Sequence, residues 1–206
     1  MWQAIIIVVF VVALASCANY GDGWFWEVGN GLGFLALALL FVLTFHGRSG
    51  LGLSIRHRWL GQGTLLITLG HCLWFLIGDP VSWEYLKWGA PHYMSIGLSS
   101  LALMLVLTLT SLRSFRHFSY DSHAIFRSWH RYMAVAILVT ALLHVVLSGF
   151  YIVTSWQSLL LVGVAVVAFY LSTWSQLDAS FARWSLVIVS LLFLVLFYLV
   201  RLGLPV

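Results

Sequence analysis

Residues 57–71, HRWLGQGTLLITLGH, and residues 130–144, HRYMAVAILVTALLH, are two apolar segments with the same construction. Each begins with His-Arg and an aromatic residue, and each ends with a second histidine fourteen residues after the first. Fourteen residues of α-helix complete almost four turns and rise about 21 Å, so both histidines of a segment face the same way at different depths. Because histidines inside apolar spanning helices are rare, all four are candidates for a functional role.

The composition is that of an integral membrane protein. The 206 residues are 62% hydrophobic and 8% charged, with a mean hydropathy of +1.01, and a soluble domain of this composition would expose large apolar patches. Because backbone polar groups in lipid must bond to each other, the spans are helices. The predicted fold is therefore all-α, a polytopic bundle of about seven transmembrane helices. These helices are predicted near residues 2–18, 29–45, 57–78, 94–110, 126–150, 157–173 and 184–202.

Positive charge gathers on alternate loops, which predicts the orientation. The basic loops contain Arg48, Arg56, Arg58, Arg113, Arg116, Arg127, Arg131 and Arg183, and the opposite loops contain Lys87 with Asp22, Glu27, Asp79 and Glu84. By the positive-inside rule the arginine-rich loops are cytoplasmic, as is the amino terminus. Topology explains these charges, so no nucleic acid partner is expected. Residues 14–17, Leu-Ala-Ser-Cys, resemble a bacterial lipoprotein processing site, but no basic residue precedes them as in a signal peptide.

The four histidines predict two metal sites between the third and fifth helices. These helices run in the same direction, so His57 should meet His130 near the cytoplasm and His71 should meet His144 near the outer surface. Imidazole is a good iron ligand. No C-x-x-C-H sequence is present, which excludes covalent heme attachment and predicts two b-type hemes held by ligation and packing.

Other residues on the same helices are candidates for contacts with the hemes. Between the histidines the inward faces carry mainly small residues, which would leave room for flat macrocycles: Gly61, Thr64, Thr68, Ala134, Ile137 and Ala141. The same residues would equally suit ordinary close helix packing. Arg58 and Arg131 follow the cytoplasmic histidines and could pair with heme propionates, since a guanidinium binds a carboxylate in a fork geometry. An alternative role for both arginines is to fix the topology.

The chain resembles the ferric reductase-like transmembrane family, which includes ferric reductases, NADPH oxidases and the heme-binding membrane subunit of the bacterial methionine sulfoxide reductase system. The matching motifs are Arg58-x-Leu60-Gly61 before His71, Thr110-Ser111 with Arg113 and Arg116, Tyr120-Asp121, Phe126-x-x-x-His130, and His144. The resemblance covers roughly residues 28–175, preceded by a first helix and outer loop in 1–27 and followed by a last helix in 176–206. It implies b-type hemes and electron transfer across the bilayer. The expected location of the chain is a bacterial inner membrane.

The resemblance also leaves the electron donor and acceptor to separate molecules. The run Gly29-x-Gly31-x-Gly33 opens a membrane helix and lacks the preceding strand of a nucleotide-binding motif, so no flavin or nicotinamide site is expected. Electrons would come from a flavoprotein or a quinol, which makes quinone a further candidate cofactor, and would leave to an outer redox acceptor or protein.

Three other functions stay open at this point. A transporter of metal ions or protons is disfavoured because all six acidic residues fall outside the predicted spans. A structural or assembly subunit of a redox complex and a direct ferric or oxygen reductase are the other two alternatives.

Overall fold

Helices account for the regular structure of the described part of the chain. The computed structural model describes residues 23–45, 51–112 and 122–152, and nine residues between 154 and 166 (154, 155, 157–159, 161–163 and 166). Its long helices are α1 (Trp24–Phe45), α2 (Leu51–Gly78), α3 (His92–Ser111) and α4 (His123–Ser148), and a short 3₁₀ helix (Pro80–Leu86) connects α2 to α3. These ranges contain no strand, so the predicted all-α class is confirmed for them.

All four long helices are long and apolar enough to cross a membrane, over Trp24–Leu43, His57–Gly78, His92–Ser111 and Ala124–Ser148. They correspond to the second to fifth predicted spans, and the protein is an integral membrane protein. The spans predicted at 2–18 and 184–202 lie outside the described residues, and the one at 157–173 is described only in part. The total of seven helices therefore stays a prediction.

The four helices associate as two hairpin-like pairs. The most extensive contacts join α1 to α2 and α3 to α4, and α3 also touches α2. In contrast, the Cα atoms of α2 lie more than 8 Å from those of α4 at almost every position. Helices in direct contact have axes 8–10 Å apart and bring many Cα atoms closer than that. The two histidine-bearing helices are therefore separated, and each is supported mainly by its own neighbour.

Two phenylalanines and two glycines interlock α1 with α2. The ring of Phe75 in α2 lies where a side chain at Gly29 would project, and the ring of Phe25 in α1 lies where a side chain at Gly78 would project. Phe25 also stacks on Trp74, with ring centroids 5.5 Å apart, and the Trp74 indole donates a hydrogen bond to the Phe25 carbonyl. Because only glycine has no Cβ, these positions let aromatic rings enter the helix interface.

The position of Glu27 differs from the prediction. It was expected in an outer loop, but α1 begins at Trp24, and Glu27 lies inside the candidate span with only 2% of its surface exposed. The Tyr151 hydroxyl donates a hydrogen bond of 3.1 Å to its carboxylate. Burying a carboxylate is costly unless such bonds compensate it, and a distant tyrosine gives no local sequence signal. The expectation that every acidic residue lies outside the spans is therefore wrong for Glu27.

We expect Gly78→Ala to destabilise the bundle by about 1–3 kcal/mol, because the added methyl group would overlap the packed Phe25 ring. Gly63→Ala is the matched control, since a Cβ at Gly63 meets nothing within 4 Å. The Gly63→Ala substitution should leave the free energy of unfolding unchanged or raise it by up to about 1 kcal/mol, because alanine forms helix better than glycine. Thermal unfolding of both variants in one detergent measures the difference, and equal midpoints would contradict the interlock.

Candidate functional site

The histidines of α2 and α4 lie at two levels of the bundle. At one level the rings of His57 and His130 have centroids 5.9 Å apart and planes inclined by 59°. At the other level lie His71 and His144, each fourteen residues further along its helix. The contact of His57 with His130 agrees with the level predicted from the spacing, and a direct pairing of His71 with His144 stays a prediction. We call His57 and His130 the inner pair and His71 and His144 the outer pair, after the predicted orientation.

Backbone carbonyls of the supporting helices fix the outer pair. The Nδ1 atom of His71 lies 2.7 Å from the carbonyl oxygen of Gly29 in α1, and the Nδ1 atom of His144 lies 2.7 Å from the carbonyl oxygen of Tyr93 in α3. A carbonyl only accepts hydrogen bonds, so each Nδ1 must carry the proton and donate it. Each Nε2 therefore keeps its lone pair, as in metal-ligating histidines, whose other ring nitrogen donates to an oxygen.

A hydroxyl group supports His130 of the inner pair. The Ser111 hydroxyl donates to the Leu107 carbonyl of its own helix at 2.6 Å, and its oxygen lies 3.3 Å from His130 Nδ1. With its proton already donated, the hydroxyl can only accept from the imidazole. His130 is thus also held with Nδ1 protonated and Nε2 available, although by a longer hydrogen bond. The Phe126 ring packs beside it, with centroids 5.4 Å apart.

The inner pair has the spacing that a shared iron requires. A metal–imidazole bond is about 2.0 Å long and each nitrogen lies about 1.1 Å from its ring centroid, so two imidazoles on opposite sides of one metal have centroids about 6 Å apart. The observed separation is 5.9 Å. A Cβ at Gly61, one helical turn after His57, would meet nothing within 4 Å. Together with the separation of α2 from α4, these features fit a flat macrocycle.

Within the described ranges, no three His, Cys, Asp or Glu side chains cluster as a metal site. Each of the two levels has two histidines. A porphyrin supplies four nitrogens to its iron, so two axial imidazoles complete the coordination. Two imidazoles at each level therefore fit a heme iron as the donor set.

Two buried residues lie midway between the two histidine levels. Thr64 and Ile137 each stand seven residues from both histidines of their helix, and they are 0% and 1% exposed. From α3, the Ser100 hydroxyl donates to the Ile137 carbonyl at 3.2 Å, and Met104 lies beside Thr68. Thr64 thus lies between the two levels, and Thr68 borders it on the outer side.

The remaining candidate residues lie at the edges. Arg58 and Arg131, next to the inner pair, are exposed, and Ala134 and Ala141 are half-buried along α4. Their contacts with a heme, and metal ligation by the four histidines, stay predictions. Sequence reasoning missed the supporting groups on α1 and α3. Ser111 was noted only as part of a motif, and the carbonyls of Gly29 and Tyr93 carry no signal in their side chains.

Fold and site together define a helical membrane protein that presents paired histidines to a cofactor. Residues 31–126 match the family model described as ferric reductase like transmembrane component. The predicted resemblance is confirmed there. This match suggests a membrane redox role, and the matched family is associated with heme binding. The match includes His57, His71 and Ser111 and ends at Phe126, before His130. Searches of curated proteins and of solved structures found no significant match.

Proposed function

We propose that the protein is a di-heme b-type cytochrome that carries electrons across the membrane, from a donor at the inner pair to an acceptor at the outer pair. The observation that carries this proposal is the contact of His57 with His130, together with the carbonyl hydrogen bonds that fix His71 and His144 at the next level of the same two helices. Three of the four imidazoles have Nδ1 facing an acceptor oxygen, which leaves Nε2 for a metal.

The chain's own residues would perform distinct tasks in this transfer. Each bound heme supplies a one-electron couple of its iron. The histidines set the two sites about 21 Å apart along the membrane normal, within a hydrocarbon core about 30 Å thick. Thr64 and Ile137, both buried midway between the two levels, would limit the access of water to the space between the sites. Arg58 and Arg131, exposed beside the inner pair, suit the binding of propionate carboxylates at the membrane surface.

The donor and acceptor are separate molecules in this proposal. Three exposed arginines, Arg58, Arg127 and Arg131, lie at the end of the bundle that carries the inner pair. Such a charge cluster favours docking of an acidic partner, which fits a flavoprotein donor, and a quinol is the alternative donor. The acceptor would be a redox protein or small molecule on the opposite side of the membrane.

Purified protein should contain close to two hemes per chain, because each histidine pair supplies both axial ligands of one iron. Pyridine hemochrome analysis against protein concentration measures this ratio, and the absorption spectrum should show low-spin b-type heme. A ratio near one would leave one pair without a heme. Protein without any heme, purified from heme-replete cells, would refute the proposed function in favour of a structural subunit.

Single alanine variants of the four histidines should divide into two classes. Losing one axial ligand breaks a bis-histidine site, so His71→Ala and His144→Ala should lose the outer heme, while His57→Ala and His130→Ala lose the inner one. Low-temperature spectra and redox titration of each variant identify the heme that remains. If His57→Ala and His71→Ala removed the same heme, the assignment of one site to each level would be wrong.

The 206-residue chain should not oxidise NADPH by itself, because its sequence carries no nucleotide-binding motif. In liposomes, NADPH alone should leave the hemes oxidised, and addition of a flavin reductase or a quinol should reduce them. Stopped-flow absorbance at the heme bands follows the reduction. Rapid reduction by NADPH with no added protein or flavin would overturn the requirement for a donor.

A charge reversal tests where a protein donor docks. Arg127→Glu should slow reduction by an acidic flavoprotein several-fold at low salt, and the difference should shrink as salt screens the charges. Lys87→Glu is the matched control, because Lys87 is an exposed cation beyond the other end of α2. Equal slowing by both variants would contradict docking at the arginine-bearing end.

A further inference from the structure

The imidazole rings of the outer pair rest directly on two glycines. A Cβ built at Gly33 in α1 would lie 2.9 Å from Cε1 and 3.0 Å from Nδ1 of His71. A Cβ built at Gly97 in α3 would lie 2.7 Å from Nδ1 and 2.9 Å from Cε1 of His144. Carbon atoms in favourable contact are about 3.5–4.0 Å apart, so neither position accepts a side chain while the ring stays in place.

Each glycine stands one helical turn after the carbonyl that holds the same ring. Gly33 follows Gly29, whose carbonyl accepts from His71, and Gly97 follows Tyr93, whose carbonyl accepts from His144. Residues four apart lie above one another on a helix face. One turn of α1 and one turn of α3 therefore form the same socket, in which the carbonyl binds the edge of the imidazole and the glycine leaves space for the ring.

The run Gly29-x-Gly31-x-Gly33 therefore has a structural role that is unrelated to nucleotide binding. Gly29 admits the Phe75 ring and supplies the carbonyl, and Gly33 admits the His71 ring. Phe75 lies against His71 with ring centroids 5.3 Å apart and planes at 90°. The ring is thus confined by the glycine, the carbonyl and the phenylalanine.

We propose that Gly33 and Gly97 are positioning residues of the outer site, which aim the Nε2 atoms of His71 and His144 at a shared iron and set its redox potential. This inference rests on the proposed heme function. An imidazole that donates a short hydrogen bond to a carbonyl is a more basic ligand, which stabilises the ferric state and lowers the potential. A methyl group at either glycine displaces the ring, lengthens that hydrogen bond and raises the potential of the outer heme.

The hydrogen bond that supports the inner pair predicts an effect that can be distinguished from the effect of the two glycines. His130 faces the Ser111 hydroxyl at 3.3 Å, a longer hydrogen bond than the two of 2.7 Å in the outer pair. Ser111 lies at the last residue of α3, at the opposite end of that helix from Gly97. Changes at Gly33 or Gly97 should therefore alter the outer heme alone, and Ser111→Ala should alter the inner heme alone.

The experiment compares Gly33→Ala, Gly97→Ala and Ser111→Ala with the control Gly63→Ala in the full chain. Heme content, electron paramagnetic resonance g-values and redox titration are measured for each heme. Both glycine variants should bind the outer heme with an affinity lower by about 10- to 100-fold. The outer heme that stays bound should have a raised redox potential and shifted g-values. The inner heme serves as an internal marker of folding and should be unchanged. Gly63→Ala, whose methyl group meets nothing within 4 Å, should match the wild type.

The outcomes separate this inference from the function on which it rests. Wild-type protein without heme would refute the proposed function. Wild-type protein with two hemes, and glycine variants whose outer heme keeps its content, g-values and potential, would refute the positioning role alone. Loss of both hemes in both glycine variants would also overturn it, because the glycines would then support the whole bundle and not the outer site.

Discussion

The hydrogen bonds from His71 and His144 to backbone carbonyls of α1 and α3 are the interactions on which the candidate site depends. An imidazole can present either nitrogen to a metal, and in an apolar bundle an unpaired N–H is costly to bury. A carbonyl from the neighbouring helix meets both requirements, because it satisfies the Nδ1 proton and thereby leaves Nε2 unprotonated. The close pairing of α1 with α2 and of α3 with α4 brings each carbonyl to its histidine.

The two helix pairs of the bundle support their outer histidines in the same way. In each half, the second helix carries two histidines fourteen residues apart, and the first helix carries a carbonyl and a glycine four residues apart. The supporting helices cannot be exchanged for arbitrary apolar helices, since a side chain at Gly33 or Gly97 would occupy the place of a ring. The separation of α2 from α4 then follows, because each histidine helix packs on its own support and leaves space between the two.

The sequence predicts the parts of this arrangement that follow from helix geometry. The spacing of fourteen residues is a local property, and it is sufficient to predict the contact of His57 with His130. The supports could not be predicted in the same way. A carbonyl acceptor such as that of Tyr93 exists at every residue, so its use depends on how two distant helices pack. Glu27 was misplaced for a related reason, since its hydrogen bond comes from Tyr151, far along the chain.

Buried residues lie between the two histidine levels. Thr64 and Ile137 stand at the midpoint of their segments, and both are fully buried. The Thr64 hydroxyl donates to the Leu60 carbonyl of its own helix, and Ser100 joins α3 to α4 at the same level, so no polar group there needs water. Buried, hydrogen-bonded residues therefore separate the two histidine levels. The two histidine levels are thereby distinct chemical environments, one supported by a hydroxyl and the other by two carbonyls.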